Sequence, residues 1–305
     1  MKVEFPFTQQ KIDFYQPYAI SLSDSARYIA VAVDGLNSVQ IYTYQDTPNR
    51  EDEKSASGAI KLNFQFKNSI HKNQITRIFM NPKATFIVTA ATGDDTMIKT
   101  WSLKGENLFN FNTSQLKTNN LTRSLDGRFL AVSTWASEGE LLELKAGSDG
   151  TLKEFSKAMN LKGHKLETMD VAIDQKNERA VSLSKDKTIK LWNINVRYEV
   201  KEDTKVLGTL DLSTHEDFKE LMVTKVGTLS LFQVNDDPLM AVSYKNEILI
   251  YSWKKQRVVQ KIESAHVEGA TISRLAFVEF GRNLTVTSSG DDARVNIWKV
   301  HTEYQ

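Results

Sequence analysis

Three stretches of this chain repeat one layout of histidine, aspartate and tryptophan, and short apolar runs alternate with polar turns along most of its length. Together these predict an all-β fold in which the chain builds successive four-stranded blades, a β-propeller. The repeat is plainest from Gly163-His164 through Asp186 to Trp192, with the apolar run Ala180 to Leu183 before the turn and Thr188 to Trp192 after it. It recurs at His71, Asp95 and Trp101, and again at His266, Asp292 and Trp298. In chain order the His-to-Asp separations are 24, 22 and 26, whereas every Asp lies six residues before its Trp. A fixed inner offset with variation confined to the loops marks a repeat, and a period of about 40 to 45 residues suits a blade.

The pattern has a physical reason. A histidine in the loop entering a blade can bond a hydroxyl on the second strand, here Ser182 or Ser184, which links onward to the indole N–H of Trp192, while Asp186 tightens the turn. Each buried polar group then has a partner, as a packed interior demands. The weaker blades follow in the same frame: runs around Tyr42, Glu143 and Tyr251 stand where the third strand belongs, so the anchors read Tyr42, Trp101, Glu143, Trp192, Tyr251 and Trp298. Six blades then occupy Tyr18 to Val300, seven being the alternative count. Runs such as Tyr28 to Val33, Phe86 to Thr89 and Phe129 to Ser133 are rich in β-branched and aromatic residues, as buried strands are. The last repeat reaches Lys299-Val300 after its third strand, so its fourth strand is expected from Lys2 to Thr8, with Val3, Phe5 and Phe7 alternating. That strand would close the blade and leave no exposed edge. Residues 1–305 are read as one domain. The polar stretch from Gln45 to Ala59 is expected to be a hairpin loop too hydrophilic to order itself.

Composition narrows function. The chain has 39 basic and 38 acidic side chains, so it carries no overall field to draw nucleic acid or anionic membranes. It has no cysteine, which excludes disulfides and thiolate chemistry and fits the reducing cytoplasm. No apolar run approaches the ~18 residues of a membrane span, and Met1 to Gln10 lacks the apolar core of a secretion signal. Acceptor triplets for glycosylation begin at Asn112, Asn120 and Asn283, a number that chance supplies in a polar β-protein.

The residues Thr100 to Gly105, Asp126 to Ala131, and Leu161 to His164 with Val181 to Trp192 resemble the WD-repeat family, and within it the family of transducin beta-like protein 2. The likeness continues through Tyr198 and Lys201 and returns at Ala265-His266. It implies a non-enzymatic propeller that acts as a scaffold at the cytosolic face of the endoplasmic reticulum. The family's amino-terminal anchor, its helical tail and a blade ahead of Tyr18 have no counterpart in the sequence.

Signs of catalysis are weak. Of the five histidines, His71, His164 and His266 belong to the repeat. His215 falls in the polar insertion Ser213 to Asp217 and reads as a solvated loop residue without partner ligands for a metal. There is no nucleophile elbow, zinc helix motif or phosphate loop. The carboxylate pairs Asp94-Asp95 and Asp291-Asp292 stand on turns that favour Asp for backbone reasons. No catalytic residue, cofactor, metal or small-molecule substrate is therefore expected, and the partners are expected to be other proteins. Trp135, in the loop between a second and a third strand, is the candidate anchor for one. The alternative reading is an accessory subunit docking RNA through Lys185, Lys187, Lys190 and Arg197, a patch diluted by Asp186, Glu199, Glu202 and Asp203.

Overall fold

A computed structural model describes residues 17–25, 27–33, 37–46, 58–66, 69–91, 94–113, 117–218, 226–280 and 283–301. Its regular structure is β apart from a single turn of 3-10 helix at Tyr198–Val200. The first sheet joins β1 (Pro17–Leu22), β2 (Tyr28–Val33), β3 (Ser38–Asp46) and β4 (Gly58–Gln65) in chain order. The second joins β5 (Ile75–Met80), β6 (Phe86–Ala91), β7 (Met97–Ser102) and β8 (Asn107–Asn112), and the third β9 (Thr118–Arg123), β10 (Phe129–Thr134), β11 (Gly139–Ala146) and β12 (Leu152–Leu161). The fourth is built from β13 (Thr168–Ile173), β14 (Arg179–Ser184), β15 (Thr188–Asn193) and β16 (Lys205–Asp211). The fifth has β17 (Val226–Val234), β18 (Asp237–Tyr244), β19 (Glu247–Ser252) and β20 (Arg257–Ile262). Among the described residues the sixth has three strands, β21 (Ile272–Phe280), β22 (Asn283–Gly290) and β23 (Val295–Lys299). Six antiparallel up-and-down sheets of this kind are the six blades of a β-propeller. The closing strand expected at 2–8 lies outside the described residues. So does most of the stretch expected as a loop at 45–59, although its ends are strand: Gln45 pairs with Ala59 and Asp46 with Gly58.

Backbone contacts group the chain into two compact units. The first, Met1–Lys117 with Leu144–Ser156, has a core of Ala30, Ala32, Val39, Ile41, Ile78, Met80 and Ile87, closed on one side by Phe66. The second, Thr118–Glu143 with Lys157–Gln305, packs Val181, Leu183, Ile189 and Leu191 against Met240, Val242 and Leu249. Second strands lie between two strands of their own blade and are, for their length, its most buried strands. All six residues of β6 and of β10 are buried.

Two regularities escape a search by residue type. The residue immediately after each of four first strands seals its own turn: the Ser23 hydroxyl, the Asn81 amide oxygen, the Ser124 hydroxyl and the Asp174 carboxylate accept the N–H of Tyr28, Phe86, Phe129 and Arg179, each five residues on. The third residue after the cap sits in the left-handed region where the turn is described, at Ala84 (φ 53°), Gly127 (φ 73°) and Asn177 (φ 58°). In addition, the third-to-fourth strand register slips immediately before Tyr42, Trp101, Trp192 and Tyr251, a bulge that re-aims the large ring.

Only glycine, and to a lesser degree Asn, occupies a left-handed turn position without penalty. Gly127→Ala is accordingly expected to destabilise by about 1 to 2 kcal/mol, and Ala84→Gly to raise the melting temperature. Thermal unfolding of the two variants beside the parent chain checks both signs.

Candidate functional site

In three blades the histidine, hydroxyl, tryptophan and aspartate come together. His164 Nε2 lies 2.7 Å from Ser182 Oγ, Trp192 Nε1 donates to the same oxygen at 2.8 Å, and His164 Nδ1 is 3.2 Å from Asp186. In the second blade the hydroxyl is Thr89, with His71 Nε2 at 2.8 Å, Trp101 Nε1 at 2.9 Å and Asp95 2.9 Å from His71 Nδ1. In the sixth it is Ser288, 2.9 Å from His266 Nε2 and 3.1 Å from Trp298 Nε1, with Asp292 2.8 Å from Nδ1. An indole can only donate, so the hydroxyl oxygen accepts from it and gives its own proton to Nε2. That fixes the neutral tautomer with the proton on Nδ1, donated to the carboxylate. Ser184, the other hydroxyl weighed for this place, instead donates to the Leu166 carbonyl.

Electrostatics agree with a neutral imidazole. Burial holds His71 and His164 below the ordinary value of 6.5, only partly offset by the adjoining carboxylates. Burial pushes Asp95 and Asp186 up, but their donors outweigh it and hold both below the usual carboxylate range. These donors repeat: each aspartate takes the imidazole, the backbone N–H following the histidine (Lys72, Lys165, Val267) and the N–H two residues beyond itself (Met97, Thr188, Arg294).

Where the tryptophan is missing, the hydroxyl is missing too. The same two places hold Val31 and Tyr42 in the first blade, Val132 and Leu142 in the third, and Val242 and Tyr251 in the fifth. All six are buried. Leu142 corrects the anchor expected at Glu143: strand pairing sets Leu142 opposite Leu130, as Trp192 is set opposite Ala180. Glu143, one residue on, forms a separate polar cluster, accepting Arg128 Nε at 2.8 Å while Arg128 also donates to the Tyr198 hydroxyl at 2.9 Å. Burial and the acceptor Glu143 push Tyr198 up to about 12.

Asp170, which no motif announced, is buried where three first strands meet. Its carboxylate accepts Asn120 Nδ2 of β9 at 2.7 Å, and from β17 the Thr228 hydroxyl at 3.0 Å and the Leu229 N–H at 2.8 Å. Its only sequence signal is a lone charge within the apolar run of β13. Asn120, one of the three glycosylation-type asparagines, is thereby buried and occupied.

At the end of the third and fourth blades where loops enter the first strand and join the second to the third, the backbone ties three segments together. Thr168 donates to the Ala136 carbonyl at 2.9 Å and Lys185 N–H to the Glu167 carbonyl at 3.1 Å. This sets Trp135, 48% exposed, beside the loop that carries Leu166, 53% exposed. Of the expected basic patch, Lys185, Lys187 and Lys190 stand before or early in β15, whereas Arg197 follows it with Glu199, Glu202 and Asp203, about 20 Å away for a six-residue strand. His215 also departs from expectation. Rather than lying in a solvated loop, its ring packs against Phe218 and Tyr251 at 5.5 Å each, because Phe218 folds under the insertion and is wholly buried. Among the described residues no cluster of three His, Asp or Glu could hold a metal, and no helix is long and apolar enough to cross a membrane.

Removing the shared hydroxyl or its partner leaves buried donors unmatched, so Ser182→Val and His164→Ala are each expected to cost about 1 to 3 kcal/mol. The double variant should cost clearly less than their sum, since both break one chain of bonds; urea unfolding of the four proteins reads this directly. A histidine held neutral in the fold stabilises only while the unfolded chain is neutral too. Stability should therefore be full above about pH 6.5 and fall progressively as the pH drops below it, with a shallower fall in His164→Ala.

Comparisons with known proteins fit this geometry. The family WD domain, G-beta repeat matches residues 155–193, the span from β12 to β15 that contains one complete relay. Transducin beta-like protein 2 of Homo sapiens is 30% identical over 223 residues, 73% of this chain and 47% of the relative. The Mus musculus protein of that name is likewise 30% identical over the same share of each chain. The chain thus spans about half the length of the curated relatives it matches. With six blades, three relays and these likenesses, the chain is a WD-repeat β-propeller related to transducin beta-like protein 2.

Proposed function

We propose that the chain is a non-catalytic scaffold for protein–protein interaction and that its relays are structural. The observation that carries this is the fate of the hydroxyl. A serine 2.7 Å from a histidine that is itself bonded to an aspartate has the layout of a hydrolase nucleophile. Yet Ser182 is fully buried and its oxygen already accepts the indole N–H, so no substrate carbonyl can reach it and its lone pair is engaged. The same holds at Thr89, also fully buried. Chemistry is sealed inside the blades, and recognition is left to the loops.

Trp135 is the residue on which this proposal places the docking energy, since a half-exposed indole beside a second exposed apolar side chain is the composition of an interface hot spot. The absence of cysteine and the resemblance to transducin beta-like protein 2 extend the proposal to the cytoplasm and the cytosolic face of the endoplasmic reticulum. The test is quantitative affinity capture with the parent chain and Trp135→Ala. The variant should melt within a degree or two of the parent, because the side chain is half in solvent, and should lose about tenfold in recovery of the specific partners. Equal recovery by both proteins would move the docking surface elsewhere.

A further inference from the structure

The loops around Trp135 also define the chemistry of what would dock there, and the inference rests on the scaffold reading just given. The two loops of the fourth blade, residues 162–167 and 185–187, carry Lys162, Lys165, Lys185 and Lys187, and β15 adds Lys190; the acids at this end are Glu167, Asp186 and Asp211, the last set opposite Thr188 by strand pairing. All three are engaged within the protein, Asp211 by the N–H and the hydroxyl of Ser213. Glu167 pairs with Lys185 at 2.8 Å, and Asp186 is spent on His164, Lys165 N–H and Thr188. His164 is held neutral by burial and adds no charge. Lys162, Lys165 and Lys187 are exposed, Lys187 lies near enough to Asp211 to help the Ser213 bonds hold its carboxyl down, and Lys190 donates to the Thr209 hydroxyl at 3.1 Å. Glu138 is the acid of the adjoining loop. The acids expected to dilute this charge, Glu199, Glu202 and Asp203, stand beyond the far end of β15.

We infer that the surface formed by Trp135, Leu166 and these lysines binds an acidic peptide segment of a partner protein, carrying a bulky apolar residue between its carboxylates. The apolar residue fills the space between the indole and Leu166, where burial supplies affinity. The flanking carboxylates meet the lysines, which set orientation and speed encounter. The arrangement fits a peptide better than single-stranded nucleic acid. Nucleic acid is gripped by a succession of aromatic platforms and by arginine, whereas here one indole stands beside an aliphatic side chain and every cation is a lysine.

Selection from a random dodecapeptide display library against the intact chain tests this. Selected peptides should be enriched in Asp and Glu around one or two bulky apolar residues. Their binding should weaken about tenfold in Trp135→Ala or Leu166→Ala, and should weaken and lose salt dependence in the double variant Lys165→Glu, Lys187→Glu. Circular dichroism of each variant establishes that it is folded. Neutral or basic peptides, no enrichment at all, or acidic peptides indifferent to both sets of substitutions would overturn the inference. Displacement of the selected peptides by an oligouridylate of the same length, binding more tightly, would assign the surface to nucleic acid instead. If affinity capture still depends on Trp135 while the selected peptides are not acidic, the scaffold reading stands and only the partner chemistry falls.

Discussion

A buried indole N–H has one option, to donate, and in this protein much else follows from that requirement. The nearest second-strand position must then supply an oxygen. A hydroxyl that accepts from the indole must place its own proton, which calls for an imidazole with an open Nε2. That imidazole carries its proton on Nδ1 and needs an acceptor, and the aspartate that provides one also gathers the loop N–H groups on either side of it. A single donor thus organises the third strand, the second strand, the entering loop and the turn of a blade. Where the donor is replaced by Tyr42, Leu142 or Tyr251, the whole succession lapses and valine takes the hydroxyl's place.

What was legible in the sequence divides along the same line. The blades built on Trp101, Trp192 and Trp298 were readable because a chain of directional bonds permits few substitutions and keeps the six-residue offset from Asp to Trp. The third blade could be found but not registered. Leu142 and Glu143 are both compatible with an apolar strand end, and only the pairing with β10 separates them. Asp170 was missed because its partners Asn120 and Thr228 are 50 and 58 residues away and belong to other blades, so nothing local marks it. The turn caps were missed for a different reason: Ser, Asn and Asp perform one task there, and a search by residue identity does not see a shared acceptor. His215 misled because its hydrophilic neighbours disguised Phe218, which follows that insertion and is wholly buried against it.

Function separates from stability in space as well as in chemistry. The polar groups that would look reactive in a list, His164, Ser182 and Asp186 above all, are turned inward and satisfied, while the exposed side chains of the neighbouring loops are the Trp135 indole, Leu166 and several lysines. Those loops are pinned by the main-chain bonds of Thr168 and Lys185, so on the proposed function little ordering would remain to be done on binding. The strand β15 acts as a spacer, with a basic end and a mixed end that do not cancel each other.

The alternation of the two kinds of blade, with a relay in the second, fourth and sixth and a valine beside Tyr42, Leu142 or Tyr251 in the first, third and fifth, bears on how such a chain can drift over generations. A valine beside a large apolar residue imposes no direction and accepts many replacements of similar volume. A relay accepts almost none. Half of the blades can therefore wander in sequence while their shape persists, and the family description's match falls on one of the three that have less freedom to do so.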